Sequence, residues 1–351
     1  MYTALAQTAN PPAGESEPTT ERDALWNMIN AYETARVIQV VASLGLADLL
    51  ADGPRDVSEL AAMTGTHAPT LHRLLRASSS VGIFAEDDAG RFSLTPRAHY
   101  LRRDVAGSAR AWAVMMGSPS FWSTWGALEE AVRTGETAFP KLHGMSNWQY
   151  RLQHPEEQAI FDAAMGARSA AATEAIVAAY DFSPFHLLAD IGGGNGTLLA
   201  AILGANPSLR GILFDQPQVV SQAAEILQPA GITDRCQVVG GDFFQAVPSG
   251  ADALLLKSVL HDWDDVDALR ILRTCRMAMS AGARVLIVEA VLKGPNTPDP
   301  MKFTDIRMLV MNGGRERTAV EFEALLTSAG FRLGSIVPTH SAFSIVDGIA
   351  V

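Results

Sequence analysis

The sequence predicts an α/β fold in which a mostly parallel sheet, with its last strand antiparallel, follows an N-terminal helical domain. Three observations carry this prediction. Strand and helix patterns alternate from Leu187 to the C-terminus, which is typical of a parallel sheet with helices on both faces. The last two strand patterns, 331–339 and 342–351, are separated only by a short turn and must therefore pair antiparallel. Residues 57–95 show two short helices and a hairpin, a winged helix-turn-helix pattern.

Length and composition indicate a globular protein with two cored domains, because the chain has 351 residues of which 48% are hydrophobic. We divide it into a disordered tail (1–20), a winged-helix-like domain (21–105), a helical segment (106–180) and a ligand-binding domain (181–351). No run approaches the ~18 apolar residues of a membrane span, and the N-terminus lacks the pattern of a signal peptide. We therefore expect a cytoplasmic protein without a membrane partner.

Charge and cysteine content exclude several classes of function. A net charge of −11 argues against a nucleic-acid partner, since affinity for a polyphosphate comes largely from Lys and Arg. The two cysteines, Cys236 and Cys275, argue against a disulfide framework and a cysteine metal site. A small uncharged or cationic substrate, and no metal, are expected.

The N-terminal domain opens with an apolar helix over residues 28–50, which needs a partner surface. Amphipathic helices follow at 57–63 and 69–79, and then a hairpin within 82–95. A DNA-binding regulator is one interpretation. The hairpin tip carries Glu86, Asp87 and Asp88 where a DNA-binding wing needs cations, so this alternative is disfavoured.

The segment 106–180 is helical and rich in aromatic residues and methionine. Most of these side chains are expected in the core. Some of them could instead line a flat apolar pocket.

A glycine loop follows the first strand of the sheet, in the sequence LLADIGGGNG. The apolar run predicts a buried parallel strand, and the TLLAAIL after the loop predicts a helix whose N-terminal amides can approach a ligand. Thr197 stands where a dinucleotide-binding loop has its last glycine, which disfavours an NAD(P)-dependent oxidoreductase. The G-x-G-x-G form resembles the cofactor loop of class I S-adenosylmethionine (SAM) dependent methyltransferases. A glycine-rich turn without a ligand is the alternative.

Acidic residues end the first three strands of the sheet, at the edge where open α/β sheets bind ligands. Asp190 ends the first strand, within reach of the loop and of a methionine amine. Asp215 lies about twenty residues past the glycines, where a carboxylate can accept both ribose hydroxyls. Asp242 can accept from an adenine amino group, and Phe243 offers a face for the ring. Each acid alone could be a cap or turn residue, but three at successive strand ends favour a ligand site.

His261 follows the fourth strand, which closes with Lys257 and Ser258. An imidazole of ordinary pKa, about 6.5, can take a proton near neutrality. Glu289 ends the fifth strand, and Glu316 precedes the last long helix. A carboxylate bonded to one ring nitrogen leaves the other nitrogen as a base. Alternatively, Glu289 is a solvated strand end and Glu316 pairs with a neighbouring arginine.

From Leu25 to the C-terminus the chain resembles the caffeic-acid type of small-molecule O-methyltransferase, in its bacterial natural-product form. The motifs that carry the resemblance are LADIGGGNG, FDQP, GGDFF, LLLKSVLHDWDD, VLIVEAVL and MLVMNGGRERTAVEFEALLTSAGF. The resemblance implies a Rossmann-like SAM domain, a winged-helix homodimerisation domain, and His261 as base flanked by Glu289 and Glu316. It also implies residues that contact SAM (Gly192, Gly194, Asp215, Asp242, Phe243, Lys257 and Ser169) and residues that face the acceptor (Phe161, Met165, Asp305, Met308 and Met311).

The resemblance implies methyl transfer from SAM to a phenolic or enolic hydroxyl of a small aromatic or polyketide-like molecule. N-methyl transfer, and reuse of the SAM pocket for decarboxylation or hydroxylation, are the alternatives. The loop Asn312-Gly313-Gly314 is one residue shorter than the Asn-Pro-Gly-Gly of plant members. Acceptor contacts from this loop therefore do not carry over from the family.

Overall fold

The computed structural model describes residues 20–221 and 223–351, apart from the side chains of 167–171. The tail predicted for residues 1–20 lies outside the described residues except for Thr20. The chain forms two compact units, one that ends at His99 and one that runs from Tyr100 to Val351. None of the described helices is long and apolar enough to cross a membrane.

The first unit contains the predicted pair of helices and the predicted hairpin. Its elements are α1 (Glu21–Ser43), α2 (Leu46–Leu49), β1 (Arg55–Asp56), α3 (Val57–Thr64), α4 (Ala68–Ser80), β2 (Phe84–Glu86), β3 (Arg91–Leu94) and α5 (Pro96–His99). The three strands pair antiparallel in the order β1-β3-β2. The helix predicted over 28–50 is wrong at both ends. It begins at Glu21, after a capping box on Thr20, and stops before Gly45, whose φ of 67° ends the helical geometry.

The N-terminal half of α1 has an exposed apolar surface. Five large side chains on it are each more than half exposed: Leu25, Trp26, Met28, Ile29 and Tyr32. Apolar residues this closely spaced on a surface mark an interaction site more often than scattered ones do.

The second unit begins with the predicted helical segment. Its helices are α6 (Arg110–Met116), α7 (Pro119–Gly126), α8 (Leu128–Thr134), α9 (Ala138–His143), α10 (Asn147–Gln153) and α11 (Pro155–Ala179). Many of their aromatic and methionine side chains gather, together with two residues from a later helix, in one cluster, which we call the methionine-aromatic cluster. Its members include Met115, Phe121, Phe139, Phe161, Met165, Val310 and Met311.

The rest of the second unit is built on the predicted sheet. Its elements are β4 (Leu187–Ile191), α12 (Thr197–Ala205), β5 (Arg210–Asp215), α13 (Pro217–Val220), α14 (Ala224–Leu227), β6 (Cys236–Gly240), β7 (Ala253–Lys257), α15 (Asp265–Met277), β8 (Arg284–Glu289), β9 (Val291–Leu292), α16 (Met301–Met311), β10 (Arg317–Thr318), α17 (Ala319–Ser328), β11 (Phe331–Pro338) and β12 (Ser344–Ala350). The strand order is β11-β12-β8-β7-β4-β5-β6, and only β12 runs antiparallel to its neighbours. The predicted sheet is therefore confirmed.

Three elements differ from the prediction. The sequence 218–227 predicts a single helix, but the structure has two short ones, α13 and α14, with Gln222 between them outside the described residues. The apolar run 284–292 predicts a single strand, but it is split, because β9 leaves the main sheet and pairs in parallel with β10. Helix α16 was not predicted, since its buried residues do not form one narrow apolar stripe.

The sheet separates two hydrophobic cores and brings polar strand ends together. Strands β8, β7, β4, β5 and β6 lie side by side in parallel, so their carboxyl ends meet at one edge. Asp190, Asp215, Lys257 and Glu289 all lie at that edge, as the sequence predicted.

Candidate active site

The glycine loop connects β4 to α12 and is held close to the sheet. Gly192, Gly194 and Gly196 have φ angles of 70°, 60° and 85°, a region that glycine adopts without strain. A Cβ atom at Gly192 would lie 2.8 Å from Cγ2 of Val259. The backbone of the loop is therefore bare of side chains where it turns over the strand ends.

Asp215 ties this loop to β5. Its Oδ2 atom accepts a hydrogen bond of 2.9 Å from the backbone N–H of Gly194, and its Oδ1 atom accepts one of 2.6 Å from Gln216. Burial raises the pKa of this carboxyl, while the two N–H donors lower it. Each carboxylate oxygen has further acceptor capacity, so Asp215 can hold the loop and still accept bonds from a ligand.

Asp190 is a buried acid with an unused oxygen. The residue is 1% exposed, and its Oδ1 atom has no hydrogen-bond partner among the described residues. Burial raises the pKa of this carboxyl to about 7, although the charge of Lys257 opposes the rise. Such a buried acceptor is costly unless a ligand supplies a donor or a cation.

The remaining predicted cofactor residues differ in what the structure shows of them. Asp242 is exposed and forms a local turn, in which it accepts from the Phe244 backbone at 2.9 Å. The ring of Phe243 lies 6.2 Å from that of Trp263 in an edge arrangement. Ser258 has a φ of 54°, unusual for a residue with a side chain. The side chain of Ser169 lies outside the described residues.

His261 lies in a single 3-10 turn, Leu260–Asp262, directly after β7. Its ring Nδ1 atom is 2.9 Å from Oε1 of Glu316. Oε1 of Glu289 accepts a 3.0 Å bond from the backbone N–H of His261. Glu289 thus positions the backbone of His261, and Glu316 positions its ring.

The carboxylates around His261 set its protonation. Burial lowers the pKa of the imidazole, but the charges of Asp262, Glu316 and Glu289 outweigh burial and raise it to about 9. Burial also raises the pKa of the Glu289 carboxyl, to about 7. At neutral pH the ligand-free site therefore holds His261 mainly as the imidazolium.

Asp262 is a site residue that the sequence analysis missed. Its Oδ1 atom lies 3.9 Å from Nε2 of His261 and accepts a 2.6 Å bond from the Asn312 amide. Asn147 of α10 in turn donates to the Asn312 oxygen at 2.9 Å. The repeated acids of the HDWDD motif were the available signal, but the partners lie far away in the chain.

Two further residues fix the backbone that carries His261. Arg317 is fully buried and donates 3.0 Å bonds to the carbonyls of Leu260 and Trp263, on either side of the turn. A Cβ atom at Gly314 would lie 2.1 Å from the His261 carbonyl oxygen. The GGRER motif therefore packs its backbone directly against this turn.

The predicted acceptor residues are partly brought together. Phe161, Met165 and Met311 belong to the methionine-aromatic cluster, and Met308 is buried on α16. Asp305 differs, because its Oδ1 atom accepts a 2.9 Å bond from the backbone N–H of Glu316. Asp305 thereby helps to position the acid that holds the His261 ring.

The edge of the sheet fits SAM as a ligand. The loop backbone is accessible at Gly194, where a Cβ atom would meet nothing within 4 Å, and Asp190 has an oxygen that needs a donor or a cation. The same end of the sheet carries a partly buried histidine held by a glutamate. A mostly parallel sheet with these features defines a SAM-dependent methyltransferase.

Comparison with known proteins gives the family. Residues 26–104 match the model of the O-methyltransferase dimerisation domain, and residues 125–332 match that of the O-methyltransferase domain. The chain belongs to the O-methyltransferase family, whose members use SAM. The alternatives of an NAD(P)-dependent oxidoreductase and a DNA-binding regulator are not supported.

Similar proteins cover almost the whole chain. Phenazine O-methyltransferase PhzM of Lysobacter antibioticus is 46% identical over 92% of this chain and 94% of its own length. The crystal structure of LaPhzM has a TM-score of 0.89 at 44% identity and covers 95% of this chain and 100% of that one. NcsB1, solved with SAM and 2-hydroxy-5-methyl naphthoic acid, has a TM-score of 0.81 at 36% identity and covers 91% of this chain and 96% of that one. An N,N-dimethyltransferase of 8-amino-8-demethylriboflavin, from Streptomyces davaonensis, is 37% identical over 96% of this chain and 98% of its own length.

Proposed function

We propose that this enzyme methylates a phenolic or enolic hydroxyl of a small aromatic or polyketide-like molecule, with His261 as the general base. The observation that carries the proposal is the 2.9 Å contact between Glu316 and Nδ1 of His261. This contact engages one ring nitrogen and leaves Nε2 to accept a proton.

The acceptor class is supported by the relatives, whose names include a phenazine O-methyltransferase and a protein solved with a naphthoic acid. The related N,N-dimethyltransferase makes an amine acceptor the second candidate. A partly buried base held by a glutamate favours the hydroxyl, because a phenol of pKa about 10 must lose its proton whereas a neutral aromatic amine already has a lone pair.

We propose that SAM would bind at the edge of the sheet. Gly192 and Gly194 would present the loop backbone to it, Asp215 would bind the ribose, and Asp242 with Phe243 would bind the adenine. Asp190, Lys257 and Ser258 would hold the methionine end, and the resemblance adds Ser169 of α11. SAM supplies an electrophilic methyl group.

His261 can act as a base only as the neutral imidazole, yet its pKa in the ligand-free site is about 9. The neighbouring carboxylates are the cause, so a cation bound beside them, such as the sulfonium of SAM, would lower this pKa and favour the neutral imidazole.

The first unit is proposed to form a two-fold homodimer. The match to a dimerisation domain and the exposed apolar residues of α1 support this proposal. Light scattering at micromolar concentration should give the mass of two chains, whereas a monomer would contradict it.

The test of the base is His261→Ala, compared with the wild type and with His186→Ala, a control at an exposed histidine. His261→Ala should keep its affinity for S-adenosylhomocysteine and lose roughly 10² to 10⁴ in kcat. Its activity should partly return as the pH approaches the pKa of the acceptor. Equal rates and pH profiles for His261→Ala and the wild type would show that positioning alone drives the transfer.

A further inference from the structure

Arg151 is a buried cation outside the proposed catalytic group. It lies on α10 and is 5% exposed, and its Nη1 atom has no hydrogen-bond partner in the described part of the chain. Burial lowers the pKa of the guanidinium to about 10, so it is charged at neutral pH. A buried guanidinium normally has a carboxylate or several carbonyls bonded to it.

The location of Arg151 is the acceptor side of the site. Its Cζ atom lies 3.3 Å from the ring centroid of Phe161 and 5.1 Å from that of Trp148. The carboxylate of Asp262 attracts the guanidinium, and Oδ1 of Asp262 is 3.9 Å from Nε2 of His261. Arg151 therefore packs on Phe161, a residue predicted to face the acceptor, and is attracted by the acid that lies beside the proposed base.

The acids that attract Arg151 have other hydrogen-bond partners. Asp262 accepts from Asn312 at 2.6 Å, Glu157 from Ser120 at 2.9 Å and Asp162 from Gln158 at 2.7 Å. None of them forms an ion pair with the guanidinium in the part of the chain that the structure describes, and they act on it only through longer-range attraction. The cation is thus held by ring stacking and longer-range attraction, and the N–H donors of its buried Nη1 atom are unused.

A carboxylate is the ligand group that matches these unused donors. The planar guanidinium offers parallel N–H groups that pair with both oxygens of a carboxylate. A neutral carbonyl or hydroxyl offers one acceptor atom and no charge. We infer that Arg151 selects an acceptor that bears an anionic group, a carboxylate, on the same aromatic scaffold as the hydroxyl to be methylated. This inference rests on the proposed function, because it takes the acceptor to lie between Arg151 and His261.

The experiment compares acids with their own amides. Hydroxybenzoic, hydroxynaphthoic and hydroxyphenazine carboxylic acids, each paired with its carboxamide, are titrated into the protein saturated with S-adenosylhomocysteine. The proteins are the wild type, Arg151→Met, Arg151→Lys and the control Arg133→Met, at an exposed arginine that pairs with Glu129. In the wild type at least one acid should bind about 30-fold or more tightly than its amide, the scale on which losing a buried charge partner acts.

Arg151→Met should abolish this preference, Arg151→Lys should keep part of it, and Arg133→Met should leave it unchanged. A merely structural role for Arg151 would weaken acid and amide alike, so the ratio of the two affinities separates the roles. If Arg151→Met does not fold, the ratio of acid affinity to amide affinity in the wild type and in Arg151→Lys still tests the inference.

The inference is wrong if no acid in the series binds the wild type more tightly than its amide. It is also wrong if the preference survives in Arg151→Met. A different result would contradict the proposed function. That result is that no hydroxyl in the series is methylated when SAM replaces S-adenosylhomocysteine.

Discussion

Replacing Glu316 with Gln removes one negative charge from the ring of His261 while keeping an oxygen that can accept a hydrogen bond. The contact is short, at 2.9 Å, and Glu316 is buried. The rise of the His261 pKa from 6.5 to about 9 corresponds to about 3 kcal/mol in favour of the imidazolium. Three carboxylates share this effect, and the one in direct contact should account for about 1 to 2 pH units of it.

The measurement is the titration of the His261 ring by NMR on ¹³C-labelled histidine, with the signal assigned through His261→Ala. In the ligand-free wild type the midpoint should lie near 9, and in Glu316→Gln between about 7 and 8. Glu323→Gln, at an exposed glutamate of α17, is the control and should titrate like the wild type. Saturation with SAM should lower the wild-type midpoint more than saturation with neutral S-adenosylhomocysteine does.

The free energy of unfolding should depend on pH because the pKa of His261 differs between the folded and unfolded states. A histidine whose pKa is raised on folding stabilises the protein fully below its unfolded pKa of 6.5, and this contribution disappears as the pH rises through about 9. The stability advantage of the wild type over Glu316→Gln should therefore shrink across that window. A wild-type midpoint near 6.5, or equal midpoints in the two proteins, would show that the charge of Glu316 does not raise the pKa of His261.

Two other substitutions test the supporting structure. Asp190→Asn should unfold at higher urea concentration than the wild type at pH 8. The reason is that the raised pKa of Asp190 makes the folded wild type lose up to about 4 kcal/mol of stability as the pH rises from 3.8 through about 7. The variant should also bind S-adenosylhomocysteine more weakly, and a stability difference from the wild type that is the same at pH 5 and pH 8 would contradict the prediction. Gly314→Ala should displace the His261 turn, since the added Cβ would lie 2.1 Å from the His261 carbonyl oxygen, and should lower both kcat and the stability, the latter by about 1 to 3 kcal/mol. Gly294→Ala is the control and should have little effect, because a Cβ there meets nothing within 4 Å. Unchanged kcat in Gly314→Ala would show that the turn relaxes without cost.

The sheet and its polar edge were predictable because each strand and the acid that ends it are adjacent in the sequence. Asp190, Asp215 and Glu289 needed only the pattern of an apolar run that stops at a carboxylate. The glycine loop was predictable for the same reason. The capping box of Thr318 and Glu321 at the start of α17 is local in the same way, because its two residues lie three positions apart.

The supporting contacts were not predictable because they join distant parts of the chain. Asn147 bonds Asn312 across 165 positions, and Asp305 bonds Glu316 from a helix that the pattern did not indicate. The contact of Glu289 was missed because it accepts from a backbone N–H. Every residue except proline has such a group, so the sequence does not show which residue will be the partner. Arg151 was missed because a single arginine in a helical segment is usually exposed.

Helix α16 carries residues predicted to face the acceptor and also a residue that supports the proposed base. Asp305, Met308 and Met311 recur every third residue of this helix. Substitutions on it that change the acceptor therefore involve two methionines and one acid. The methionines are flexible and can be exchanged for residues of similar volume at low cost. The acid supports Glu316, and through it the ring of His261. Descendants of this enzyme that acquire new acceptors are therefore expected to vary at the two methionine positions and to retain the aspartate.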